Sequence, residues 1–328
     1  MLRTIFAVIL ASCLTASIGC IKPKITIFPD RTEPLEEYTL QGKGDEKILV
    51  IPIKGFISES ERGFLISRKP GTVKEVVAQL KKAEKDSKIK GIILEIDSPG
   101  GSVTASDMIY HEITQYKERN KAKVTAMMMT VAASGGYYSA LSADFIMAHP
   151  TTITGSIGVI FLSPNVTGLM GKLGVDVEVN KSGINKDMGS PFRKATEEER
   201  RIMQDMIDGL AHRFTALAAE RRRLSDEVKT QISTGRIYSA DEALRLGLID
   251  RIGYLDDAIR ETAQRSGLPE DAKVIVYRRA EYHDDNIYNT STSKPAPPSI
   301  NLIDSGIADL VPPMQSGFYY LWLPGRSE

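Results

Sequence analysis

Cysteine is nearly absent from this chain of 328 residues: there are two, Cys13 and Cys20, both within the first twenty positions. A disulfide-stapled fold, a cysteine-ligated zinc site and a cysteine nucleophile in the body of the chain are thereby excluded. Histidine is scarce too. His111, His149, His212 and His283 are scattered without His-x-x-x-His spacing, so the sequence marks neither a histidine-ligated metal nor a Ser-His-Asp triad. Net charge is zero, with 42 Lys and Arg against 42 Asp and Glu. That argues against a nucleic-acid binder acting through bulk charge. Phosphate loops are missing as well: no Gly-x-Gly-x-x-Gly follows a strand, and Leu173 follows Gly171-Lys172 where a Walker A loop needs Ser or Thr. No cofactor is implied. The remainder is ordinary globular composition, 42% hydrophobic and 26% charged, enough for one large domain or two smaller ones.

The first twenty residues differ from the rest. Arg3 precedes an uncharged run over 5–21, the pattern of an export signal. Ser17-Ile18-Gly19-Cys20 and Leu10-Ala11-Ser12-Cys13 both resemble a lipobox. Cys20 is favoured by position, and Cys13 is the alternative lipid anchor; an uncleaved anchor and plain cleavage also stay open. Residues 1–20 thus read as a signal sequence or membrane or lipid anchor. Residues 21–46, polar with Pro23, Pro29, Pro34, Gly42 and Gly44, read as a linker. A folded domain is expected over 47–280. Residues 281–328 read as a low-complexity linker followed by an apolar C-terminal tail that holds the only Trp, Trp322.

Within 47–280, apolar runs with β-branched residues predict strands at 48–57, 91–97, 123–130, 144–148 and 273–277. Helical spacing covers 72–87 and 103–116. Thr196 and Glu199 form a capping-box pattern ahead of a long amphipathic helix. Two shorter helices, 240–246 and 256–266, stop at Gly247 and Gly267. Strands alternating with helices predict an α/β fold with a mostly parallel sheet flanked by helices.

Two glycine-rich turns stand out, each passing from strand to helix. Asp97-Ser98-Pro99-Gly100-Gly101-Ser102 can free backbone N–H groups at a helix N-terminus, as an oxyanion hole requires, or can simply be a tight turn. Ala132-Ala133-Ser134-Gly135-Gly136-Tyr137-Tyr138 places one serine among small residues. That is the setting of a nucleophile elbow, or of an N-cap. A nucleophilic serine needs a base. With histidine unsupported, lysine is the remaining option, and composition does not pick which one.

These two segments, followed by Thr154-Gly-Ser-Ile-Gly-Val159, Lys181-Ser-Gly-Ile-Asn-Lys-Asp187, Thr234-Gly-Arg-Ile-Tyr238 and Gly247-Leu-Ile-Asp250, resemble the signal peptide peptidase A family, also called protease IV. Its members are membrane-associated serine peptidases of the Clp protease/crotonase superfamily. The resemblance covers roughly 47–260 in the family's order, in its short, single-unit form. It implies a Clp/crotonase-like fold of repeated ββα units and a serine peptidase domain over 47–280. It implies Ser134 as nucleophile, Lys186 as general base and Ser156 as the serine that orients the lysine. Gly101 (or Gly100) and Gly135 would donate the oxyanion-hole N–H groups. The implied partners are peptides left at the membrane, such as signal-peptide remnants, and further copies of the chain in a ring whose active sites are shared between subunits; nucleic acid is not among them. The implied location is a bacterial membrane, with the catalytic domain on the extracytoplasmic side.

The lysine role has a physical requirement. An ordinary lysine, with pKa about 10.4, is under about 0.1% neutral at pH 7, so a base near neutrality needs a shift of about three units, or roughly 4 kcal/mol. Desolvation can supply that. Asp187 would oppose it if it faced the amine, so it is expected to point away. Two other readings compete: a crotonase-type acyl-CoA enzyme on the same fold, and a non-catalytic membrane-tethered assembly protein. A peptidase regulating membrane proteins is a third possibility, which sequence does not separate from the leading reading of a peptidase acting on signal-peptide remnants.

Overall fold

The structure is a computed structural model that describes residues 34–60, 70–279, 286–292 and 317–323. The expected signal or anchor with Cys13 and Cys20, and most of the low-complexity linker, lie outside the described residues. The chain enters through β1 (Glu36–Gln41) and β2 (Lys47–Lys54), then α1 (Thr72–Ala83) and β3 (Ile89–Ser98). The three-residue β4 (Gly100–Ser102) leads into α2 (Val103–Asn120), followed by β5 (Lys123–Ala133), α3 (Gly135–Ala140), β6 (Phe145–Ala148), β7 (Ile153–Gly155) and β8 (Ile160–Leu162). Helices α4 (Thr167–Leu173), α5 (Glu197–Arg222) and α6 (Asp226–Ile232) come next, with β9 (Ile237–Ser239), α7 (Ala240–Arg245), β10 (Arg251–Ile252), α8 (Leu255–Ser266) and β11 (Lys273–Arg278) after them. The last element is β12 (Gly317–Leu321).

The main sheet runs β1-β11-β2-β3-β5-β6-β10, with β7 extending β5 and β9 added beyond it. Its strands are parallel except for β1 and β9. Period-two alternation explains the layering. Leu49, Ile51 and Ile53 of β2, Ile92, Leu94 and Ile96 of β3, and Val124, Ala126 and Met128 of β5 face one side. There α1 and α2 cover them with stripes that include Val73, Val76 and Leu80, and Ile109, Ile113 and Tyr116. Ile48, Val50, Ile93 and Met127 face the other side, under Leu255, Ala258, Ile259 and Ala263 of α8. Each fully buried aliphatic side chain contributes about 1.5–3 kcal/mol. Mostly parallel strands between two helical layers are the architecture expected from sequence.

Several boundaries differ from expectation: the helix expected at 72–87 ends at Ala83 and the strand expected at 48–57 ends at Lys54. The helix at 103–116 continues to Asn120, because Lys121 takes the left-handed conformation (φ 56°) that ends it. The segment expected to be linker contributes β1, so the domain begins before residue 47: β1 pairs antiparallel with β11, and the Arg278 guanidinium lies 4.2 Å from the Tyr38 ring centroid. The C-terminal tail returns as β12, the middle strand of a second, antiparallel sheet, β4-β12-β8. That small sheet lies at the first glycine-rich turn.

Candidate active site

The two glycine turns meet where neighbouring strands end. Ser98 of β3 pairs with Ala132 of β5, and Ala133 pairs with Gly155 of β7. Ligand sites in open parallel sheets form beyond the carboxyl ends of the strands, which is where these turns sit. Ser134 joins β5 to α3 with φ 52° and ψ −114°. A non-glycine residue held at positive φ costs about 1–3 kcal/mol and persists only where its surroundings dictate it. Here the Ser134 N–H donates to the Gly155 carbonyl (2.8 Å), and the Ser134 carbonyl accepts from the Tyr138 N–H (2.8 Å). The side chain caps nothing, so the N-cap reading fails. The residue is 1% exposed, and its hydroxyl has no hydrogen-bond partner. A buried hydroxyl without a partner is costly in a purely structural role. Gly135 is required beside it, because a Cβ there would collide with the Ser106 hydroxyl.

The first turn arranges its amides unequally. Ser98 Oγ accepts the Gly100 N–H (3.0 Å) and donates to the Gly55 carbonyl (2.6 Å). The Gly100 carbonyl accepts from the Ile57 N–H (2.9 Å), and the Ser102 N–H donates to the Ile57 carbonyl (3.0 Å). Gly100, which shared the oxyanion role with Gly101 in the sequence reading, is thus not a free donor: its N–H is already donated to the Ser98 hydroxyl oxygen. Gly101 faces the opposite edge, toward β12. The nearby amide of Gly135 would lie 2.8 Å from a Cβ placed on Gly100, so Gly101 and Gly135 flank one spot.

Ser156 follows β7 directly, one residue beyond the carbonyl that holds Ser134. It too has positive φ (50°), and its N–H donates to the Arg236 carbonyl (2.8 Å). The structure therefore brings Ser134, Ser156, Gly101 and Gly135 to one end of the sheets. It does not bring Lys186 into contact: Lys186 is exposed, its N–H donates to the Gly183 carbonyl (3.1 Å), and Ser134 Oγ receives no bond from it. Asp187 is committed elsewhere, to Arg193 (Nε, 2.7 Å) and Lys181 (2.7 Å). Those bonds, Arg193 first, hold its carboxyl well below the usual range.

Several residues at the site had not been singled out. Arg193 also donates to Glu199 of the capping box (Nη1, 2.9 Å), tying the Lys186 turn to the start of α5. The Arg193 bonds, with the Thr196 N–H, hold the Glu199 carboxyl down at about 2. Beside the nucleophile turn, the Tyr138 hydroxyl donates to Asp107 (2.6 Å), which also accepts from Arg213 (2.7 Å). Burial pushes Asp107 up, but these two donors outweigh it and keep it below its ordinary value. Burial first, and then the Asp107 bond, push Tyr138 above the ordinary tyrosine range. The doubled tyrosine after Gly135-Gly136 was the available signal for this pocket; its partners, about 30 and 75 residues distant, left none.

The chain is similar to several known proteins. Residues 116–269 match the model of Peptidase family S49, and residues 64–152 that of Clp protease. A putative signal peptide peptidase SppA of Enterococcus faecium is 37% identical over 77% of this chain and 73% of its own length. Protease 4 of Haemophilus influenzae is 31% identical over 82% of this chain but only 42% of its own length, so the chain spans less than half of that longer relative. A solved ClpP1 mutant from Listeria monocytogenes superposes with a TM-score of 0.41 at 20% identity, over 64% of this chain and 93% of that one. The first of these relatives matches along most of both chains, through the strand ends that carry Ser134 and the turn that carries Lys186: the chain belongs to peptidase family S49 and is a serine peptidase.

Proposed function

We propose that the chain is a membrane-associated endopeptidase that uses Ser134 and Lys186 as a nucleophile–base pair on peptides left at the membrane, including signal-peptide remnants. One observation carries the reading: a strained, buried serine with an unpartnered hydroxyl, flanked by the amides of Gly101 and Gly135. The neutral Lys186 amine takes the Ser134 proton as Oγ attacks the peptide carbonyl carbon. The N–H groups of Gly101 and Gly135 hold the oxyanion. As the C–N bond breaks, the departing amine takes the proton from the Lys186 ammonium. Water then hydrolyses the acyl-serine, with the same lysine as base.

In a single chain Lys186 is solvated, so the role requires closure of its turn by substrate or by a neighbouring copy. The names of the relatives, a putative signal peptide peptidase and Protease 4, support the substrate class. The export-signal pattern at 1–20 supports an extracytoplasmic, membrane-anchored enzyme, with a lipid on Cys20 or Cys13. A fluorophosphonate probe should label wild-type protein at Ser134. Ser134→Ala should lose both labelling and peptide cleavage, and Lys186→Ala should fold and keep less than about 1% of kcat/KM. Full cleavage by either variant would refute the pair.

A further inference from the structure

The peptide that joins Gly100 to Gly101 lies between two residues without side chains. Such a peptide turns over at little steric cost. One orientation aims the Gly101 N–H at the spot it shares with the Gly135 amide. The other would aim the Gly100 carbonyl there, where it would repel an oxyanion. The choice between them has to be made by groups outside the glycine pair.

The chain just beyond β2 makes it. The Ile57 N–H donates to the Gly100 carbonyl (2.9 Å), and the Ile57 carbonyl accepts from the Ser102 N–H (3.0 Å). These two bonds bracket Gly101, which pairs with Ile57 as an isolated parallel bridge. The C=O and N–H of a trans peptide point in opposite directions, and this peptide is trans. Holding the Gly100 carbonyl on Ile57 therefore turns the Gly101 N–H the other way, toward Gly135. The two backbones touch: a Cβ on Gly101 would collide with the Ile57 carbonyl oxygen. Ile57 is fully buried in the main core, and Phe56 is buried in the small cluster with Tyr319 and Leu321. Turning the peptide over would leave the Ile57 N–H buried without a partner, which is unfavourable.

The same stretch is tied down at both ends. The Gly55 N–H donates to the Asp97 carbonyl (2.9 Å), and the Gly55 carbonyl accepts from the Ser98 hydroxyl (2.6 Å). Further on, the Phe56 carbonyl accepts from the Thr72 hydroxyl and the Ser58 carbonyl from the Val73 N–H (both 3.2 Å), at the start of α1. The Glu59 carboxylate accepts from the hydroxyl of Ser102, the N-cap of α2 (2.9 Å). Gly71 packs against this end, where a Cβ would collide with the Glu59 carbonyl oxygen.

We propose that residues 55–59 are a strap that holds the oxyanion-donating peptide in its active orientation, with the Ile57 amide as the positioning group and the start of α1 as its outer support. This rests on the peptidase reading of Ser134. Two variants disturb the strap without altering Ser134 or its flanking amides. Replacing Ile57 with its α-hydroxy analogue puts an ester oxygen where the N–H was and deletes the bond to Gly100. Gly71→Ala pushes on the strap from outside the site. In each, kcat should fall about 10- to 100-fold while KM changes less than about threefold. A peptide boronate, whose tetrahedral adduct on Ser134 mimics the oxyanion, should bind more weakly by the same factor. A substrate peptide should bind these variants, each also carrying Ser134→Ala, within about twofold of Ser134→Ala alone.

Ile259→Ala, under α8 on the far face of the sheet, controls for lost stability: it should melt lower with kcat unchanged. Wild-type kcat and boronate affinity in both strap variants would overturn the proposal, and so would an equal fall in kcat in Ile259→Ala. If the wild-type chain neither cleaves peptides nor binds the boronate through Ser134, the peptidase reading falls. A crystal structure of the Ile57 ester variant then decides the strap. A Gly100–Gly101 peptide turned over upholds it, and an unmoved one sinks it.

Discussion

Ser134 occupies a backbone conformation that glycine adopts freely and serine does not, with φ 52° and ψ −114°. The strain is released if the residue becomes glycine and persists if it becomes alanine. Both substitutions remove the hydroxyl, so both should abolish activity, yet Ser134→Gly should be the more stable by about 1 kcal/mol. In thermal unfolding that is a melting temperature about 2–4 °C above that of Ser134→Ala; a glycine variant melting no higher would show that the turn is relaxed. The residues of this turn were legible because small residues around one serine are a local pattern. The roles of Gly100 and Gly101 were not separable, since the choice depends on where the Ser98 hydroxyl points, and that is set by the Gly55 carbonyl 43 residues away.

At the scale of elements, the turn bearing Lys186 has little regular structure of its own, and its anchor is α5. Arg193 joins Asp187, next to Lys186, to Glu199, whose carboxylate also receives the Thr196 N–H in the capping box. Both carboxyls are held below their ordinary values. A depressed carboxyl lends stability that is present above its unfolded pKa and lost as pH falls toward the folded one. The clamp should therefore be intact at pH 6 and should open as pH drops from about 4.5 toward 2. Protection of the amides across 181–195, taken relative to the intrinsic exchange rate at each pH, should be high at pH 6 and low near pH 2. Arg193→Met should show low protection at both pH values, with kcat reduced roughly ten- to a hundredfold and KM changed less. Equal exchange in the variant and wild type at pH 6 would remove Arg193 from the anchoring role. The capping box was readable from Thr196 and Glu199, three residues apart. Its second duty was not, because nothing local distinguishes Arg193 from the other arginines around it.

For the whole molecule, the missing contact between Lys186 and Ser134 matters most. If copies of the chain complete each other's sites, mixing Ser134→Ala with Lys186→Ala should restore a fraction of wild-type cleavage, because some sites then join an intact serine to an intact lysine. Activity no greater than that of the two inactive variants measured apart would place both residues of a site in one chain. The alternation of strands and helices made the architecture readable, since each layer announces itself through local periodicity. β1 and β12 escaped for a shared reason: each is stabilised by a partner more than 200 residues distant in sequence. β1 is a half-exposed edge strand without a clear apolar face, and β12 is a short aromatic run whose place is set by the glycine turn it meets.

The gap that β12 fills has β4 on one side and β8 on the other. Adjacent strands lie about 4.8 Å apart, so the slot is about 10 Å across and admits one extended chain. A helix with its side chains is about 10–12 Å wide, and its interior N–H and C=O groups are already bonded to each other. It would neither fit the slot nor satisfy its edges. A helical peptide must therefore uncoil before it can enter, so the slot tests backbone conformation before any side chain is tested.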